Sequence, residues 1–83
     1  MNKHIDPWKT ERIVINDNVY EAEVKTCYIP SEFGIRKGKI LKMCIKKNGH
    51  IKFNYDRIYD VRLDKSDKEL VWVYKYLYQK YNK

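Results

Sequence analysis

Residues 34 to 40 read Gly-Ile-Arg-Lys-Gly-Lys-Ile. Two glycines around a basic pair, closed by a Gly-Lys step, are ingredients of a loop whose backbone N–H groups cradle a phosphate. The nucleotide-hydrolase form of that loop, G-x-x-x-x-G-K-[ST], also needs a hydroxyl for magnesium and a helix N-terminus beneath the phosphate. Here the spacer is one residue short, Ile40 stands where the hydroxyl belongs, and the stretch leads into a strand. Those departures argue against a nucleotide cradle. Gly34 and Gly38 instead read as sites of left-handed turns in a connection between two hairpins.

A second chemistry is metal-dependent nuclease action, since Glu23-Val24-Lys25 matches an E-x-K element and Asp17 precedes it. Strand alternation sets Glu21, Glu23 and Lys25 on one polar face, where a solvated row of alternating charge accounts for the same residues. Magnesium sites need convergent carboxylates, so a nuclease is only a remote alternative. Asp56 and Asp60, with Arg57 between them, read as a structural ion-pair cluster. His4 and His50 are far apart and have no Ser or Cys partner at catalytic spacing. Cys27 and Cys44 are too few for a disulfide framework and read as reduced, strand-borne hydrophobes. The expectation is a protein that is not an enzyme, with no catalytic residues, no cofactor and no metal site.

Charge carries more information. The chain has 83 residues, 18 basic and 11 acidic, for a net charge of +7. Between Gly34 and Tyr55 lie Arg36, Lys37, Lys39, Lys42, Lys46, Lys47 and Lys52, with no Asp or Glu, so this one segment accounts for the whole excess. A concentrated excess points to a negatively charged partner. Lys42, Lys46, His50, Lys52 and Asn54 are expected to share one face of a β-ribbon with Lys47 at its tip. Such a ribbon can enter a groove or neutralise phosphates. The expected face lacks aromatic platforms, and Arg36 is the only arginine of the segment, so binding would be dominated by the backbone of the nucleic acid.

The elements that position these residues follow from periodicity. Glu11–Ile15 and Val19–Val24 form a first hairpin. A turn at Asp17-Asn18 pairs Ile15 with Tyr20 and Ile13 with Ala22. In the second, Ile40–Ile45 and His50–Tyr55 flank Lys47-Asn48-Gly49. A three-residue loop with Gly49 in a bulge pairs Ile45 with Ile51, Met43 with Phe53 and Leu41 with Tyr55, keeping lysines off the apolar face. Residues 59–63 alternate and stay extended. Ser66-Asp67-Lys68-Glu69 forms a capping box, opening a helix whose stripe is Leu70, Val73, Tyr74, Leu77 and Tyr81.

The result is a single α+β domain over 1–83: an N-terminal arm (1–10), an antiparallel sheet of about four strands (11–63) and one covering helix (66–82). A chain this short buries little more than about 60% of its unfolded surface, so the core is thin. It has no apolar run long enough to span a membrane and no signal-peptide core, which reads as a cytoplasmic protein with no membrane partner. Trp72 and Tyr76 lie off the buried stripe. They are either ordinary surface aromatics or a protein-interface pair, the latter implying an interaction module or homodimer.

Trp8, followed by Ile13, Ile15, Asn16 and Tyr20-Glu21-Ala22, forms one part of a wider pattern. The others are SEFGI-x-x-GKI-x-K-x-x-I from Ser31 to Ile45 and NYDR-x-YD from Asn54 to Asp60. Together they resemble a family of small uncharacterised proteins commonly encoded by phages and prophages of low-GC Gram-positive bacteria. This chain departs from that pattern at Ile58-Tyr59, where Gly-Trp is usual, and at Asp17-Asn18, where Asn-Gly is usual. The resemblance implies no catalytic role. It implies an accessory protein acting inside a bacterial host on its machinery, with inhibitors of CRISPR-type defence as one such group. A basic chain cannot mimic DNA; the partner expected is nucleic acid, or a nucleoprotein or host-defence protein with an acidic surface.

Overall fold

The computed structural model describes residues 8–82. Most of the expected N-terminal arm, including His4, lies outside the described residues. Five strands, β1 (Lys9–Ile15), β2 (Asn18–Thr26), β3 (Ile40–Lys47), β4 (His50–Asp56) and β5 (Tyr59–Val61), form one antiparallel sheet in sequential order. A single helix, α1 (Lys68–Tyr81), covers one face. The α+β class is as expected; the fifth strand is the segment read only as extended. No helix among the described residues is long and apolar enough to cross a membrane.

The core forms where sheet alternation meets helical periodicity. Tyr20, Ala22 and Val24 from β2, Met43 and Ile45 from β3, and Phe53 and Tyr55 from β4 close against Leu70, Val73 and Leu77 of α1. Ile35, from the connection between β2 and β3, is fully buried and fills one end. Tyr74 and Tyr81, also expected in the stripe, pack at its edges and are half-buried.

Both hairpin registers differ from expectation. The first turn is Asn16-Asp17, which pairs Ile15 with Asn18 and Ile13 with Tyr20. A shift of two residues keeps every side chain on its expected face. It places the positive φ of 54° on Asn16, a residue type that tolerates this region, and lets Asn16, Asn18 and Tyr20 all reach Glu69. In the second hairpin Asn48-Gly49 is a two-residue turn with φ of 51° and 84°, pairing Lys47 with His50 and Lys46 with Ile51. The extra residue that restores the faces is Lys52, two pairs beyond the turn, so Ile45 pairs with Phe53 and Met43 with Tyr55. Ile51 is thereby left half exposed. Asn48 fixes this turn by accepting from Val19 N–H at 2.9 Å and donating to Asn18 Oδ1, also at 2.9 Å.

The helix begins one residue later than the capping box predicts. Asp67 is the N-cap and accepts from Leu70 N–H at 3.1 Å. Ser66 instead donates its hydroxyl to Asp64 Oδ1 at 2.6 Å, and Glu69 turns toward β2.

The glycines of the 34–40 stretch are not left-handed either: φ is −76° at Gly34 and −98° at Gly38. The positive φ values, 53° and 57°, belong to Arg36 and Lys37. Close approach is the reason for both glycines. A Cβ on Gly34 would sit 2.2 Å from the Gly38 carbonyl oxygen, and one on Gly38 would sit 2.2 Å from Asn82 Oδ1.

Candidate nucleic-acid interface

The basic residues of residues 34–55 do not share one face. Lys42 and Lys46 lie on the sheet face that α1 leaves uncovered, and there the pairing brings acids from other strands alongside. Lys42 meets Asp56 at 3.6 Å, and Lys46 is paired with Glu21 of β2. Lys42 and Lys25 both stand about 6 Å from the Trp8 ring centroid (6.0 and 5.8 Å), a cation–π cluster at one corner of that face. Lys47 is on the opposite side, donating to Asp67 Oδ2 at 2.8 Å. That bond raises the Lys47 ammonium and lowers the Asp67 carboxyl from their ordinary values. The charge of Lys52 is felt by Asp64 and Asp67, Asn54 donates to Asp60 at 3.2 Å, and His50 is exposed beside the turn. A segment without acids in sequence therefore becomes a surface interleaved with them, because neighbouring strands supply Glu21, Asp56 and Asp60.

Glu23, the acid of the E-x-K element, and Glu21 border an open groove on the same uncovered face with Thr10, Arg12 and Lys46. No group of three or more His, Cys, Asp or Glu among the described residues could hold a metal ion. Cys27 and Cys44 are both free thiols. Burial, with Glu23 nearby, pushes the Cys44 thiol up.

Arg36, Lys37 and Lys39 lie at the end of the connection leading into β3. Its geometry is set by a short ladder in which Cys27 N–H donates to Lys39 O at 2.8 Å and Ser31 N–H to Gly38 O at 2.9 Å. Asn82, just past the helix, accepts from Lys39 N–H at 2.6 Å. With Ile35 locked in the core, Arg36 is turned outward over α1, its guanidinium 5.8 Å from the Tyr78 ring centroid.

There the structure gathers a site that reading along the chain missed. Two concavities, of about 410 and 320 Å³, both have Arg36 and Tyr74 in their walls. The first lies between β5 and α1 and adds Tyr59, Arg62 and Lys65; the second adds Lys75 and Tyr78. Among the described residues no acidic one lines either concavity. The Arg62 guanidinium is 5.5 Å from the Tyr59 ring centroid. Tyr74 stacks on Tyr78 at 6.0 Å and meets Phe53 edge-on at 5.1 Å. Burial, then Tyr59, raises the Tyr74 phenol, against the lowering effect of the Arg36 charge. Arg36 is the one expected binding residue in this groove. The others had a sequence signal, Tyr74 and Tyr78 four residues apart beside Lys75, but helical spacing explains it equally well as core packing.

The expected protein-interface pair is half engaged internally. Trp72 and Tyr76 stack with centroids 5.6 Å apart and planes 1° from parallel. The Tyr76 hydroxyl donates to Glu11 Oε1 at 3.1 Å, so this ring is tied to β1. Trp72 remains 54% exposed and borders an apolar crevice with Ile15.

A family model described as a domain of unknown function, DUF7678, matches residues 7–82. No curated protein and no solved structure matches the chain.

Proposed function

Because the chain belongs to the DUF7678 family, whose description assigns no activity, we propose a function from its surface: a non-enzymatic protein that binds nucleic acid. The observation that carries this reading is the acid-free groove around Arg36, with Arg62, Lys65 and Lys75 on its walls. Anions are attracted to such a concentration of cations at low dielectric, and released counterions supply much of the affinity for a polyanion. Lys37 and Lys39 extend the positive surface from the groove along the connection. Lys42, Lys46 and Lys52, each near a carboxylate or paired with one, contribute weaker attraction from the flank.

In its finer form the reading is of a phage-encoded accessory protein in the bacterial cytoplasm. It would engage nucleic acid held in a host nucleoprotein and inhibit a defence system such as CRISPR-Cas. Its positive charge favours occupying nucleic acid over imitating it.

Fluorescence anisotropy with labelled oligonucleotides at two salt concentrations tests the proposal. The expected result is salt-sensitive binding that Arg36→Glu with Arg62→Glu abolishes and Lys42→Glu with Lys46→Glu weakens less. Absence of binding to any nucleic acid at low salt, or binding indifferent to the Arg36 and Arg62 pair, would overturn it.

A second reading rests on Trp72. A half-exposed tryptophan beside an apolar crevice suits a contact with another protein or a second copy of the chain. Sedimentation would then show a dimer that Trp72→Ala dissociates; a monomer whose partner binding survives Trp72→Ala counts against it.

A further inference from the structure

We infer that the two concavities sharing Arg36 and Tyr74 together receive two consecutive nucleotides of a single strand, with one base against Tyr59 in the first, one against Tyr78 in the second, and their linking phosphate at Arg36. This rests on the nucleic-acid reading above and narrows it to strandedness and mode of contact.

Leaving Tyr28 aside, the other seven of the eight tyrosine hydroxyls separate into two groups. Those of Tyr20, Tyr55, Tyr76 and Tyr81 each donate to a protein oxygen: Glu69, the Phe33 carbonyl, and Glu11 for the last two. Those of Tyr59, Tyr74 and Tyr78 make no hydrogen bond among the described residues, and no buried side-chain oxygen lacks a partner, so these three reach solvent. The first group ties strands, loop and helix together. The second lines the groove, where ring surface is presented beside cations.

Charge follows the same division. Among the described residues the ion pairs are Lys42–Asp56, Lys47–Asp67 and Lys80–Glu11, and none involves Arg36, Arg62, Lys65 or Lys75. Like charges gathered without counter-ions work against the compact state. Beyond the cation–π contacts of Arg36 with Tyr78 and of Arg62 with Tyr59, the groove's cations add no ion pair to the fold, while a polyanion would relieve their repulsion.

Aromatic faces flanked by cations select among nucleic acids. Bases inside a duplex are already stacked and cannot lie on a side-chain ring without being flipped out, whereas bases of a single strand can. Guanidinium planes serve as stacking surfaces and as phosphate donors. Besides the Tyr74 and Arg36 that they share, each concavity has one tyrosine of its own, Tyr59 in the first and Tyr78 in the second. That repeat of ring, cation and ring matches base, phosphate and base along one strand.

The test compares single-stranded DNA, single-stranded RNA and duplex DNA of the same mixed sequence against the full chain and three variants. Tyr59→Leu and Tyr78→Leu retain apolar bulk and charge; Arg36→Gln removes one cation. Single strands should bind more tightly than duplex. Each Tyr→Leu change should weaken single-strand binding roughly 5- to 100-fold with an unaltered salt slope, and Arg36→Gln should lower that slope by about 1. The DNA and RNA arms identify which strand the groove prefers. Duplex binding equal to single-strand binding, or Tyr variants that bind like the parent, would overturn the inference and leave the wider nucleic-acid reading standing. Failure of every nucleic acid to bind removes both. Should Tyr59→Leu prove unfolded on melting, Tyr78→Leu, at a ring on the edge of the core, and Arg62→Gln, at an exposed residue, carry the same comparison.

Discussion

The Tyr20 hydroxyl donates to Glu69 Oε1 across 2.8 Å, joining the start of β2 to the first turn of α1. The same carboxylate accepts from Asn16 Nδ2 at 2.8 Å and from Asn18 Nδ2 at 3.1 Å. One side chain of the helix thus secures the first hairpin's turn, and this explains a register that pure apolar pairing does not favour. Tyr20→Phe keeps the buried ring and removes one of the three donors, so urea unfolding should show a loss of about 1 kcal/mol. Glu69→Leu removes the acceptor for all three and should lower the urea midpoint further.

Acid should destabilise the fold through four carboxyls. Hydrogen bonds from Asn16, Asn18 and Tyr20 hold Glu69 below its ordinary 4.5. Burial pushes Glu11 upward, but donors from Tyr81, Lys80 and Tyr76 outweigh it and the net direction is down. Lys47 and the Leu70 N–H lower Asp67, and Ser66 lowers Asp64, both from an ordinary 3.8. A folded value below the unfolded one means the unfolded chain binds more protons in that window. The stabilisation is therefore fully present above the ordinary carboxyl values and is lost as pH falls through the lower folded ones. Urea midpoints should be level near neutrality and drop on acidification, with a smaller drop in Glu11→Gln. A midpoint that rises with acid would contradict this.

The helix cap can be assigned by substitution. Asp67→Ala should cost about 1–2 kcal/mol, since it removes the side-chain acceptor for Leu70 N–H. Asp67→Asn retains an acceptor and should recover most of that. Ser66→Ala, which in the sequence reading would remove the cap, should change stability by no more than about 0.5 kcal/mol.

Three glycines should respond differently to alanine. Gly34→Ala drives its Cβ into the backbone carbonyl of Gly38 and should be the most damaging, by about 1–3 kcal/mol. Gly38→Ala meets the side chain of Asn82, which can swing away at the expense of its bond to Lys39 N–H. Gly49 faces open space but has φ of +84°, so alanine there should cost about 1–2 kcal/mol from backbone strain alone. Thermal melts of the three variants check the order.

The class of fold was legible because the sheet alternates and the helix repeats strongly enough to mark Tyr20, Ala22, Ile45, Phe53, Leu70, Val73 and Leu77 as core. Registers were less legible because each depends on polar partners distant in sequence: Glu69 is 53 residues from Asn16, and Asn48 is 29 from Val19. The same limit governed the charged surface. The run from Arg36 to Lys52 is unopposed along the chain, but Glu21 and Asp56 reach it only through pairing. Arg36, Arg62 and Lys75 belong to three separate segments, and only the packing of α1 beside β5 makes them neighbours.

The sequential order of the sheet has a consequence for synthesis. Each strand pairs with the one made just before it, so the sheet can grow hairpin by hairpin as the chain leaves the ribosome, through contacts of low sequence separation. The helix comes last. Until it arrives, Tyr20, Met43, Ile45 and Phe53 face water on one side of a nearly complete sheet. The vulnerable species in production is therefore a chain stalled or truncated before Lys68, which has its strands but no cover for them.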